Sequence, residues 1–329
     1  MNSIADIDLR EDFQRNHIIN GGFDFWQRAT NFPNPSFASI VDSLGGRYTA
    51  DRWHSFTFTA AQNFTISRES VNLVVGEGPS FAAKIQRNPG EVEIGSGVAG
   101  DSHALNYTFE SRDVRPLRGQ LMTLSYFVNR GADYSGTNGS LLTIVSSGQG
   151  EDEGPILPLT GQVDVVNEEV LLSSTFEKVT HTFIVPSDCN QLRIRFQFDP
   201  NGTAGAEDFF QIANVMLNLG GSAGSFRRAG LNMAGELLLC QRYYHKTWDT
   251  ELNPTTGGRV VGLARNDGLA IIQLKFPTTM RIRPTIGILT AFSGTGAAVN
   301  LLGDSAVEFS INTNPFDGAT AVYDADAEL

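Results

Sequence analysis

A chain of 329 residues with 41% hydrophobic and 18% charged side chains has a globular composition, with length enough for two domains and a substantial core. Its net charge of −12 argues against a phosphate-tracking surface, because nucleic-acid binding draws its affinity from clustered Lys and Arg, so nucleic acid is not an expected partner. No stretch approaches the ~20 uninterrupted apolar residues of a membrane-spanning helix, and the acidic start, with Asp6, Asp8, Glu11 and Asp12, lacks the pattern of an export leader, so neither membrane insertion nor export is expected.

Residues 1–18 read as an N-terminal arm. Ser3 with Asp6 three residues on resembles a helix start, and Ile4, Ile7, Leu9 and Phe13 are spaced apolar positions behind it. So short a segment cannot hold a helix alone in water, which leaves a frayed end or an arm that orders by docking on another protein. From Arg52 onward the apolar period is two, the period of strands, and the 22 Phe and 34 Gly favour strands joined by tight turns.

Strand candidates in chain order are Phe56 to Phe58, Phe64 to Ile66, Leu105 to Phe109, Met122 to Val128, Leu141 to Val145, Val179 to Val185, Leu192 to Phe198 and Phe209 to Leu219. The clearest is Leu192 to Phe198. There Leu192, Ile194, Phe196 and Phe198 face one way, while Arg193, Arg195 and Gln197 form a wet basic face on the other. Val179, His181, Phe183 and Val185 repeat the alternation before the turn residues Pro186, Ser187 and Asp188, so these two segments read as neighbouring antiparallel strands. The stretches 131–139 and 148–154 read as exposed loops.

A break at Gly220 to Ser225 precedes the one helix the pattern supports, Asn232 to about Arg242 with Asn232 as its cap. The domain boundary falls near Gly230, which gives domains 19–230 and 231–329. Alternation resumes in Ala270, Ile272, Leu274 and Phe276, and in Val307, Phe309 and Ile311. Between them, Thr285 to Leu302 carries Ile286, Ile288, Leu289, Phe292 and Val299 with no Lys, Arg, Asp or Glu, a run that is either core or interface.

Six segments recur in a recognisable order: Asn20 to Arg28 (NGGFDFWQR), Tyr48 to Trp53 (YTADRW), Phe109 to Val128 with Arg118 Gly119 before its strand, Ile212 to Leu217, Phe226 Arg227 Arg228, and Glu236 to Tyr244 (ELLLCQRYY). Together they resemble a family of phage tail-fibre and virion-associated proteins with a carbohydrate-binding-module-like jelly roll. The resemblance runs from Ile19 to about Pro284. It implies an all-β chain, with a jelly-roll β-sandwich followed by a second, smaller β-sandwich domain and one short linking helix. It further implies a virion structural protein assembled in the host cytoplasm: a tail fibre or receptor-binding protein, forming a homotrimer that recognises a host surface glycan and docks on other virion proteins through its arm. A capsid decoration or head-fibre protein is the alternative, supported by the absence of heptads or a triple-helical shaft. A glycan depolymerase is a third reading, although no active site is evident and the chain is expected not to be an enzyme.

Trp26 and Trp53 lie beside Arg28 and Arg52 in sequence, with Asp24 and Asp51 close by. The preferred reading is that the indoles plug the sandwich while the carboxylates bond Arg or loop amides; the other is a sugar-stacking platform with polar groups on the hydroxyls. Jelly rolls of this type often hold a structural calcium near a turn like Asn20 to Asp24, completed by a strand carboxylate. Here that strand position is Asn214, which brings an amide oxygen without charge, and no metal or cofactor is expected. At Asn218 related proteins tend to carry an acid, which this chain lacks.

His17, His54, His103, His181 and His245 are scattered and suggest no zinc site, and His181 reads as a satisfied core histidine. Cys189 and Cys240 read as separate buried thiols. Glu207 with Asp208, or Asp199 with Glu207, are the pairs that hydrolysis of a glycosidic bond would call on. Ligand-binding residues are not singled out by the sequence and are expected in loops.

Overall fold

A computed structural model describes residues 15–33, 46–57, 63–73, 79–93, 102–248, 260–263, 269–291, 295–312 and 318–329. Residues 1–14 of the expected arm, and Phe58 and Phe292, lie outside them. The chain divides into two compact units. One takes in Thr30–Leu231 with the residues up to Asp24 and Leu329, and the other takes in Phe25–Ala29 and Asn232–Glu328. The described residues are dominated by antiparallel strands.

The first unit is a sandwich of two six-stranded sheets. Sheet 1 runs in the order β1 (Asn31–Phe32), β4 (Phe64–Asn72), β5 (Pro79–Arg87), β12 (Phe209–Leu219), β7 (Leu121–Arg130) and β10 (Glu177–Ile184). Sheet 2 runs β2 (Gly46–Tyr48), β3 (Trp53–Thr57), β6 (His103–Thr108), β11 (Gln191–Phe198), β8 (Ser140–Gly148) and β9 (Val163–Leu171). The strands jump between sheets rather than forming simple meanders, which is the jelly-roll manner of covering both faces of one core. A short helix α1 (Ser111–Val114) follows β6.

β11 is central because it is apolar enough to be buried and pairs on both edges, with β6 and with β8. Leu192, Ile194, Phe196 and Phe198 are all buried in the core, as the alternation requires. Two expectations about this region are corrected. β10 and β11 are not neighbours: β10 pairs with β7 in sheet 1, and the turn at Pro186 to Asp188 carries the chain across to sheet 2. Both strands show the same alternation because they face one core from opposite sides, and periodicity cannot separate that from pairing. Nor is the basic face of β11 wet, since Arg193 is buried and Arg195 is only partly exposed.

Aromatic side chains fill the space between the sheets. The Trp53 ring lies 5.0 Å from Phe23, 5.2 Å from Tyr107 and 6.2 Å from Phe196. Tyr126 stands edge-on to Phe196 at 4.8 Å. At the open side of the sandwich, His181 of β10 meets Tyr126 Oη at 3.2 Å and Glu168 Oε2 of β9 at 3.0 Å, tying the edge strand of one sheet to that of the other. Its ring is buried and satisfied on both nitrogens.

The second unit opens with α2 (Met233–Gln241), capped as its sequence requires: Asn232 Oδ1 accepts from Gly235 N at 2.9 Å. Its strands form two small sheets. In one, β19 (Gly318–Asp326) pairs with β13 (Tyr244–Lys246), β14 (Val260–Leu263) and β16 (Thr285–Ala291). The other runs β15 (Leu269–Lys275), β18 (Ala306–Asn312), β17 (Thr295–Leu302). Ile272, Phe276, Val307, Phe309, Ile311 and Tyr323 make its core, so this is a second, smaller β-sandwich. Ile286 and Val299 pack on that core, which makes the uncharged 285–302 run core at those two positions.

Candidate functional site

Side chains that do not face the core of the first unit line the outer face of sheet 2. Residues directly opposite one another across a sheet share a face, so the register places Tyr48 of β2, His54 of β3, Asn106 of β6, Arg195 of β11, Ile144 of β8 and Asn167 of β9 in one row. On either side of that row stand Phe56 and Gln197, and Arg193 with Ser146. The row is aromatic at one end, amide and guanidinium in the middle, and exposed at the β9 edge.

Contacts along the row fix its side chains. The Tyr48 and His54 rings meet edge to face at 5.0 Å, and Arg195 Cζ lies 5.5 Å over the Phe56 ring. Arg195 Nε donates to Asn106 Oδ1 at 3.3 Å, while Asn106 Nδ2 donates to Pro155 O at 2.6 Å. Ser146 Oγ donates to Asp164 Oδ1 at 2.7 Å. Gly46 keeps room for this packing, because a Cβ there would lie 2.3 Å from the His54 ring. Tyr48, Arg195 and Gln197 remain partly exposed.

Segment 149–162 covers one end of the face. It is held by Glu153, whose carboxylate accepts from Thr160 N and Oγ1, and by Asp152, which exchanges bonds with Ser111. Under it, Arg193 is 1% exposed. Its Nη2 donates to Gly154 O at 2.6 Å, but Nε and Nη1 are buried with no hydrogen-bond partner. Burial, with the nearby Arg195 adding to it, pushes Arg193 down from 12.5 to about 10. Arg195 is lowered as well, by burial, against the pull of Asp164.

Residues singled out by sequence fall elsewhere. Trp53 is core, and its Nε1 donates to Asn20 O at 3.1 Å; Trp26 is buried and belongs to the second unit. Asp24 is gripped by Arg228 through two bonds of 2.8 and 3.0 Å, Arg52 donates to Thr108 O, and Asp51 is buried with its carbonyl accepting from Asn20 Nδ2. These groups build the sandwich and expose no sugar platform.

The turn from Asn20 to Asp24 packs on a β-bulge at Asn214, whose φ of +49° an Asn tolerates better than most side chains. Val215 N donates to Gly21 O at 2.8 Å there. Asn214 keeps a buried amide oxygen and nitrogen without hydrogen-bond partners. The Asp24 carboxylate is engaged by Arg228, and among the described residues no group of three or more His, Cys, Asp or Glu side chains comes together.

The acidic pairs also separate. Asp208 is buried and takes Ser135 N at 2.7 Å and Ser135 Oγ at 2.6 Å, with Arg87 Nη1 3.6 Å away, whereas Glu207 is exposed. Asp199 accepts from Gln197 Nε2 at 2.9 Å. Cys189 and Cys240 are buried free thiols, and burial raises the Cys189 thiol further.

No family model matches the chain, and no curated protein does. Among solved structures, the chain is similar to the enzymatically active domain of tailspike protein 4 of bacteriophage CBA120, at 12% identity and a TM-score of 0.35. That match covers 62% of this chain and 21% of the other. A CBM4 structure matches at 14% identity and a TM-score of 0.32, covering 61% of this chain and 98% of the other. The CBM22-1-CBM22-2 tandem domain of Paenibacillus barcinonensis Xyn10C matches at 8% identity and a TM-score of 0.30, covering 91% and 89%. Likeness at this level assigns no function.

Proposed function

We propose that the chain is a glycan-binding structural protein of a bacteriophage particle, a tail fibre or receptor-binding protein that recognises a host surface glycan without cleaving it. The observation that carries the binding half is the row from Tyr48 through His54, Asn106 and Arg195 to Asn167 on the outer face of sheet 2. A sugar ring offers an apolar face and a rim of hydroxyls; His54 and Asn106 are buried and brace the row, and the groups that would meet a sugar are Tyr48 and Arg195, partly exposed, and Asn167, exposed. The ordered motifs from Asn20 to Tyr244 support the virion half. Engagement of Asp208 by Ser135 and Arg87 favours binding over hydrolysis.

On this reading the protein acts as a homotrimer, since several weak sugar sites on one symmetric particle gain avidity. Light scattering on the purified chain tests that number. The binding claim is tested by pull-down of the full chain on host cells and on their isolated surface polysaccharides, beside a Tyr48→Ala, Arg195→Ala double variant. Retention of the parent and loss of the variant is expected; no retention of the parent sinks the reading. Immunogold labelling of virions then decides position, with label on the tail expected and label on the head favouring a decoration or head-fibre protein. Shortening of the polysaccharide on size exclusion would overturn the non-enzymatic claim.

A further inference from the structure

Resting on the oligomeric part of that reading, we infer that α2 is the self-association surface: its outer face packs against α2 of neighbouring copies around the symmetry axis of the oligomer. A helix on the surface of a globular unit ordinarily turns its charges to water and its apolar side chains inward. In α2 the arrangement is inverted. Its one charged residue, Glu236, is 0% exposed, whereas Met233 is 47% exposed and Leu238 46%. Ala234 is exposed as well, and Leu237 and Gln241 are partly exposed. At 3.6 residues per turn these five side chains fill the outer half of the helix without a charge. Exposed apolar surface continues past the C-terminal end of α2. There Arg281 N donates to Arg242 O at 2.8 Å, and the next residue, Ile282, is 48% exposed.

Charge says what meets this face. An element at a rotational axis meets its own copies, so any charge it carries there is opposed by the same charge. The chain has a net charge of −12, which makes most self-contacts repulsive. The edge strand β9 shows the difficulty: its exposed Val163 and Leu171 stand among exposed Asp164, Glu168 and Glu169, so two copies of that edge would repel. The outer face of α2 has no charge to oppose. An apolar patch depleted of charged residues is what the centre of a homo-oligomer contact requires. Nor does the face carry a charge by which a different protein would be steered to it. Three copies of α2 about a three-fold axis would remove Met233, Leu237 and Leu238 from water together.

Sedimentation equilibrium of the full chain tests this, with a Met233→Glu, Leu238→Glu double variant beside the parent. Both positions are exposed and Glu is a good helix former, so the variant is expected to fold, which its thermal unfolding checks. The expected result is self-association of the parent and association about a hundredfold or more weaker in the variant. A second measurement separates a lost contact from a lost fold. Leu238→Glu and Leu238→Lys chains, each weakly associating alone, should associate when mixed, because opposite charges then meet across the axis. No rescue in the mixture would overturn the contact of α2 with α2. Undiminished association of the double variant would overturn it too, leaving a homotrimer built on another surface. A parent that is monomeric at every concentration would overturn both the inference and the homotrimer, while the pull-down on host polysaccharide judges glycan binding separately. A parent that associates only after removal of residues 1–14 would assign the face to the N-terminal arm and overturn the inference as well.

Discussion

Arg28 holds Asp326 at 2.9 Å through Nη2 while its Cζ lies over the Tyr244 ring, 3.8 Å from the ring centre. The sequence motif that begins at Asn20 is therefore divided. Its first half, to Asp24, builds the larger sandwich, and Phe25–Ala29 is part of the smaller one. Gln27 Nε2 donates to Tyr244 O at 2.8 Å beside it, and Tyr244 Oη donates to Asp324 Oδ2 at 2.9 Å. Arg28→Ala is expected to lower the stability of the second unit by about 1–2 kcal/mol, from the lost contact with the Tyr244 ring and from the pairing with Glu328, 3.6 Å away and 4% exposed, rather than from Asp326, which is 44% exposed and screened. Arg28→Lys should restore part of the charge and little of the stacking. Calorimetric scans of both variants check this, and an unchanged second-unit transition in Arg28→Ala would contradict it.

Gly21 tests the packing of the turn on the bulge. A Cβ at that position would lie 2.0 Å from Val215 O, which is backbone and cannot swing aside. Gly21→Ala is expected to cost about 1–3 kcal/mol in urea denaturation through the shift it forces on β12. A change within experimental error would mean the turn and the bulge are not in contact.

Asp208 is expected to be a structural acid. Its neutral isostere, Asp208→Asn, removes a carboxylate beside the buried Arg87 and weakens the bonds from Ser135. Burial raises the Asp208 carboxyl while Ser135 and Arg87 hold it down, so the charge is retained only by those partners. Loss of roughly 3 kcal/mol is expected, since breaking a buried pair strands the other charge. Thermal unfolding measures it; a fully stable variant would reopen a catalytic role for this residue.

Stability should fall in mild acid. Burial, reinforced by the neighbouring His54, pushes His103 from 6.5 to about 3, and burial lowers His245 to about 4. Between each folded value and 6.5 the unfolded chain binds more protons than the folded one, so stability is fully present above about pH 6.5 and drains away as the pH falls. For each histidine the slope approaches about 1.4 kcal/mol per pH unit inside its window. Urea midpoints from pH 7 to pH 4 should drop, and His103→Gln should flatten the contribution of the first unit. A flat profile for the parent would contradict it.

Sequence alone determined what depends on neighbours along the chain. Alternation put Leu192, Ile194, Phe196 and Phe198 on the core side, the Asn232 cap marked the start of α2, and the bulk of Trp53 marked a core residue. These are local rules of period, capping and size, and they hold whatever lies across the sheet. Tertiary structure decided the rest. Which strand pairs with which separated β10 from β11, and the 149–162 segment folding over sheet 2 turned a wet basic face into a covered one. Strand pairing and loop cover join residues far apart in sequence. The row proposed to bind draws one residue from each of six strands, so no motif could have announced it, and a basic alternation reads the same whether water or a loop lies above it.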